Sequence, residues 1–180
     1  MSKYLKFKKK RFPLQLSLSW KTSKDNKEKY RETIFLADSR NRIGLFQNMI
    51  LKPNRVEAVK AVYPNKNPKN ISKDDLEAIG RQLQSKACRP IVITLGEEGA
   101  LLFSGKDCVK INAVKLEPPV DPVGAGDTFL AALGASFGAG ANPEDAVSIA
   151  ALAAAVTVKK INTTGTASIE EIISQYDKMR

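Results

Sequence analysis

No histidine occurs anywhere in these 180 residues. Its absence removes Ser-His-Asp and Cys-His nucleophilic catalysis, and every histidine-ligated metal centre with them. Cysteine is scarce as well: Cys88 and Cys108 are the only two, and their separation is not that of a metal-ligand pair. The N-terminal lysines are not followed by a clean apolar core and a cleavage site, so no signal peptide is expected. Without a secretory signal the two cysteines are expected to be reduced thiols in a cytoplasmic protein. Long apolar runs are also missing. The richest, Ala146 to Val158, is too short and alanine-heavy to span a bilayer, so no membrane association is expected.

Positive charge is present in excess, a net +10, but unevenly placed. Residues 1–31 hold 11 Lys/Arg and 2 Asp/Glu, whereas residues 32–180 hold 18 and 17. The basic character therefore belongs to an N-terminal segment, read as a solvated, weakly ordered tail, and the remainder is nearly neutral. A nucleic-acid partner is not expected, because that would need basic residues spread over the folded part. The length suits one domain or most of a larger one, and 43% hydrophobic content supplies an ordinary core.

From Thr33 onward strand and helix signals alternate. Thr33–Asp38, Met49–Lys52, Ile91–Leu95, Ala100–Phe103 and Val109–Val114 read as strands. In the N-terminal segment only Leu14–Trp20 alternates like an edge strand. Helices are expected over 54–63, from a Ser72 cap through Ala87, over 126–138 and over 143–159 with Asn142 as its cap. Ser168 and Glu171 make a capping box for a last helix. Strands alternating with helices imply an α/β layered sheet, mostly parallel, with helices on both faces.

The chain is organised around Asp121-Pro122-Val123-Gly124-Ala125-Gly126-Asp127-Thr128-Phe129. Two glycines precede a run of helix formers, and the unpaired N–H groups of a helix start, with the helix dipole, make an anion site. Asp127 stands in the first turn. It either complements the dipole or takes a proton from a hydroxyl attacking a bound phosphate. The loop is not a Walker A motif, since the Gly105-Lys106 pair has Ala100 and Asp107 where glycine and Ser/Thr are required. Neither is it a dinucleotide fingerprint, because Phe129 occupies the third glycine position.

The nine residues Asp121 to Phe129 closely resemble the C-terminal signature of the ribokinase-like (PfkB) sugar kinases. The resemblance implies transfer of the ATP γ-phosphoryl group to a sugar hydroxyl, with ATP and a small sugar as partners. Asp127 would be the base, and the amides of Gly124, Ala125 and Gly126 the anion hole. Lys52-Pro53-Asn54-Arg55-Val56-Glu57 is similar to the family's Asn-x-x-Glu motif, which gives Asn54 to the nucleotide and Glu57 to Mg²⁺ through water. On spacing alone Asn54 and Glu57 are a helix cap, and the two roles are compatible. Thr94-Leu95-Gly96-Glu97-Glu98-Gly99 is by itself a tight turn. It also resembles the family segment that lies against the nucleotide, implying that Thr94, Gly96 and Gly99 line that site. Asp121 and Val123 match positions that hold a monovalent cation such as K⁺ in many members. The plain reading is that Asp121 ends a strand, and Lys159-Lys160 stand where a glycine turn would complete the cation site. Asp38-Ser39-Arg40 resembles a segment seen before Lys-Pro-Asn in some members, and no catalytic role is assigned to it.

The resemblance runs from about Ile34 to Ile173 and matches only the C-terminal, nucleotide-binding half of such a kinase, so a truncated form of the fold is expected. The glycine pair, acid and β-sheet lid that grip the sugar are not found. A non-catalytic nucleotide-binding or interaction protein is the alternative reading. Loss of the neighbouring half should leave an apolar sheet edge near Thr33–Asp38, through which self-association is expected.

Overall fold

The computed structural model describes residues 3–8, 33–163 and 165–179. Its single sheet contains β1 (Lys3–Lys8), β2 (Thr33–Asp38), β3 (Ile50–Leu51), β4 (Ile91–Thr94), β5 (Ala100–Ser104) and β6 (Asp107–Ile111), ordered as they occur in the chain. β2, β3 and β4 run parallel, as expected for the centre of the sheet. β1 on β2, β5 on β4 and β6 on β5 are antiparallel, so the sheet is mixed rather than mostly parallel. The reason for the last two reversals is local. Gly96–Gly99 and Gly105–Lys106 join neighbouring strands through turns too short for a parallel crossover. β6 stops at Ile111, short of the expected Val114, because its partner β5 begins at Ala100, directly opposite Ile111.

Among the described residues α1 (Arg55–Val62) and α2 (Lys73–Ala87) cover one face, α3 (Ala125–Ala139) and α4 (Pro143–Val158) the other, and α5 (Ile169–Asp177) packs on α4. Successive strand residues point to opposite sides. Ala37, Leu51, Ile91, Ile93 and Phe103 pack beneath α1 and α2 against Val59, Leu76, Ile79 and Leu83. Leu36, Ile50, Val92, Ala100 and Leu102 pack on the other side against Phe129, Leu130 and Leu133 of α3 and Ala146, Val147 and Ala150 of α4. Burial on both faces is why Ile91, Val92 and Ile93 of β4 are consecutive apolar residues. Each fully buried Leu, Ile or Phe contributes about 1.5–3 kcal/mol. Gly80 lets α2 approach closely, since a Cβ there would overlap the Phe103 ring. The connection between β2 and β3 carries a short 3-10 turn, Ile43–Leu45, that sends Ile43 into the same cluster.

The helix starts follow their caps. Asn54, Ser72, Asn142 and Ser168 each accept the backbone N–H three residues on. Asn54 with Glu57 and Ser168 with Glu171 form complete capping boxes. No helix among the described residues is long and apolar enough to cross a membrane.

The open edge expected beside Thr33–Asp38 is not open. β1 pairs with β2 along all six residues, from Lys3 opposite Asp38 to Lys8 opposite Thr33. An unpaired strand of this length is a template for pairing, and the N-terminal segment itself fills it. Leu14–Trp20, the expected edge strand, lies outside the described residues. Removing residues 1–31 should therefore leave the remaining helices and strands intact but convert the protein into a self-associating species in sedimentation velocity. An unchanged sedimentation profile would show that β1 protects nothing.

Candidate active site

Because β2, β3 and β4 are parallel, their carboxyl ends lie at one edge of the sheet, the side on which open α/β sheets bind ligands. Asp38 ends β2, Lys52 follows β3 and Thr94 ends β4. The glycine turn opens at the same edge. Gly124 caps α3 with φ +82°, a left-handed conformation that a side chain would resist. Among the described residues no side chain caps this helix end. Ala125 N donates to Pro122 O at 3.2 Å, and the rest of the first turn of this 15-residue helix begins behind a turn of small residues. Asp127 follows at the third helical position and is exposed.

Lys52 is the residue that motif reading alone passed over. It is 4% exposed, yet carries a charge. Its Nζ lies 2.9 Å from Asp38 Oδ2, which supplies the partner that a buried ammonium requires. A Cβ built on Gly126 would sit 3.8 Å from the same Nζ, so the ammonium lies beside the glycine turn. Sequence carried one hint: a lysine directly after a buried strand and directly before a proline.

Two other expected site residues, Asn54 and Thr94, lie next to this pair. Thr94 N donates to Pro53 O at 2.9 Å, and Asn54 forms a parallel bridge with Thr94. Asn54 Oδ1 accepts from Glu57 N at 2.9 Å, and Asn54 N donates to Glu57 Oε2 at 2.8 Å. The Gly96–Gly99 turn closes through Leu95 N to Gly99 O at 2.8 Å. Gly99 has φ +96° and lies so close to the Ile111–Ala113 backbone that no Cβ fits. Lys52, Pro53 and Asn54 are consecutive, so the glycine turn of α3 and the start of α1 lie close together. Arg55 NH1 reaches Glu98 Oε1 at 3.5 Å across the two nucleotide-motif segments.

Asp121 does not end a strand. Its Oδ1 accepts from Val123 N at 3.0 Å and its own N–H donates to Val158 O at 2.7 Å, so it shapes the approach to the glycine turn. Beyond Val158, Lys160 Nζ binds Thr166 O at 2.6 Å and Glu171 Oε1 at 2.7 Å, and Lys159 Nζ binds Gln175 Oε1 at 3.2 Å. These two lysines tie α5 down. Lys160 also holds the Glu171 carboxyl below its ordinary range, with the Ser168 N–H adding to the effect. Among the described residues no three Asp, Glu or Cys side chains gather into a metal cage.

A family assignment rests on more than the turn. The pattern of the pfkB family carbohydrate kinases matches residues 35–170. The chain belongs to this family. Among its curated relatives is the Bifunctional protein HldE of Nitratiruptor sp., 38% identical over 131 residues that cover 72% of this chain and 26% of that one. The HldE of Campylobacter concisus is 41% identical over 124 residues, covering 68% and 25%. The chain thus spans about a quarter of the length of these relatives. Its fold is similar to Thermotoga maritima ribokinase (TM-score 0.61, 23% identity, 71% of this chain and 42% of that one). It is also similar to Escherichia coli phosphofructokinase-2 solved with potassium (TM-score 0.65, 20% identity, 76% and 43%). The ribokinase-like fold expected from the motif is therefore present, in part, over the residues that the family shares.

Proposed function

We propose that this chain forms the nucleotide side of an ATP-dependent sugar kinase, with Asp127 as the base. The observation that carries the reading is the pairing of the glycine turn with a buried cation: Lys52 Nζ lies beside Gly126 at the N-terminus of α3. N–H groups, helix dipole and ammonium converge where a terminal phosphoryl group would sit. Asp127 accepts the proton of the attacking sugar hydroxyl as that oxygen bonds to the γ-phosphorus and the bond from phosphorus to the ADP oxygen breaks, releasing ADP. The amides of Gly124, Ala125 and Gly126, with Lys52, take up charge on the phosphoryl oxygens during transfer. Thr94, Gly96 and Gly99 line the nucleotide, and Asn54 with Glu57 stands at its phosphates.

Mg²⁺ fits this donor set as a largely hydrated ion, because Glu57 offers a hard oxygen and the nucleotide's phosphates supply the rest. Bound there, it would neutralise phosphate charge, with Glu57 holding its waters. The same reading gives the Val123 carbonyl and the second Asp121 oxygen to a monovalent cation such as K⁺.

Gly126 tests the proposal. Alanine fits in the space beside Lys52 and should reduce ATP binding only slightly, whereas leucine should push the ammonium aside and block the amides. Calorimetry should show ATP heat that persists in Gly126→Ala and disappears in Gly126→Leu. Equal binding by both variants would remove the anion-hole assignment.

A further inference from the structure

Arg55 is the one described residue with a buried side-chain nitrogen that no partner satisfies. Its Nε is fully covered and makes no hydrogen bond. A buried N–H without an acceptor is destabilising, because it has lost its water and gained nothing in exchange. The rest of the guanidinium does little to offset this. Its contact with Glu98 is 3.5 Å long, and both side chains are substantially exposed, 33% and 49%, where such pairs contribute little. Arg55 is therefore held in an arrangement that leaves part of its donor set unused.

Its position says what would use it. Arg55 is the first residue of α1, between Asn54 and Glu57, and Glu98 lies in the Gly96–Glu98 turn. These two segments are fastened to each other through Pro53 O and Thr94 N. A carboxylate in that turn opposes a polyphosphate, and an arginine between the segments favours one. We propose that Arg55 exchanges Glu98 for the phosphates of the bound nucleotide, so that Glu98 is a built-in competitor of the ligand. The exchange gives Arg55 a charge-assisted acceptor, and the guanidinium turns out of the cover over Nε to reach it. This inference rests on the nucleotide reading above and adds a residue whose role neither the Asn-x-x-Glu spacing nor the glycine turn specifies.

The exchange differs in a measurable way from a fixed ion pair that merely staples two loops. Titrate the full chain with ATP, and with adenosine as the uncharged control. Glu98→Gln should tighten ATP about threefold, the range of a weak exposed pair released. Arg55→Gln should weaken it at least tenfold, as loss of a charged hydrogen bond requires. The double variant Arg55→Gln/Glu98→Gln should bind as poorly as Arg55→Gln. Adenosine affinity should not change in any of them. A double variant that binds ATP like the wild type would mean that only the summed charge matters, and would overturn the exchange. So would wild-type ATP binding with no tightening in Glu98→Gln. A wild-type chain that binds no ATP would instead overturn the nucleotide reading itself, and this inference with it.

Discussion

Asp127→Asn should lower phosphoryl transfer by about two to four orders of magnitude, the range for loss of a general base. The measurement is coupled ADP release in a polypeptide that joins residues 33–179 to the acceptor half of a family member. Asparagine keeps the size of the side chain and its place in the first turn of α3, but cannot take the proton. ATP binding should persist, and tighten slightly, because one negative charge beside the phosphates is gone. Stability should fall by no more than about 0.3–1 kcal/mol, the contribution of an acid at a helix N-terminus. The split between binding and turnover is the point of the test. A residue that only complemented the dipole would show the small stability loss with normal turnover. A loss of turnover accompanied by loss of ATP binding would mean that the turn had collapsed, which near-native melting would exclude.

Much of this architecture is legible in local sequence because its causes are local. Asn54, Ser72, Asn142 and Ser168 start helices by bonding to an N–H three residues away, and that information lies within one turn of chain. The alternation of β2 and β4 between two clusters follows from strand period and from helices on both sides. The glycine turn is equally local: Gly124 needs its positive φ whatever surrounds it. What the chain does not announce is pairing at a distance. β1 has no period of its own to mark it. It is a strand because β2 offers an unpaired edge. Lys52 is similar, since its place between a buried strand and Pro53 only hints at burial and does not name its partner. Its burial depends on Asp38, 14 positions earlier, and on a helix that begins more than 70 positions later. The Arg55–Glu98 contact belongs to the same class, because it exists only after β4 has been laid beside Pro53.

The Asp38–Lys52 pair gives the largest expected effect on stability. Lys52 Nζ is almost fully removed from water (side chain 5% exposed) and Asp38 is its partner at 2.9 Å, with 21% of the Asp38 side chain still exposed. Removing one member of a buried pair leaves an uncompensated charge and costs about 3–5 kcal/mol. Asp38→Asn strands the lysine and should cost about 3 kcal/mol, at the low end because water already reaches that side. In a domain of this size that is a melting point lower by about 6–12 °C. Lys52→Met should cost less, since an apolar chain of similar length fits the buried channel and Asp38 can turn to water. The double variant Asp38→Asn/Lys52→Met should therefore be more stable than Asp38→Asn alone. Binding should follow the opposite order. Lys52→Met removes the cation beside Gly126 and should weaken tripolyphosphate binding at least tenfold, as loss of a charged hydrogen bond does. Asp38→Asn keeps that cation and frees it from its carboxylate, so its folded fraction should bind tripolyphosphate at least as tightly as the wild type. Melting curves and calorimetry on the three variants separate these outcomes. If Lys52→Met bound tripolyphosphate normally, Lys52 would be a structural ion pair and the site beside Gly126 would rest on the backbone amides alone.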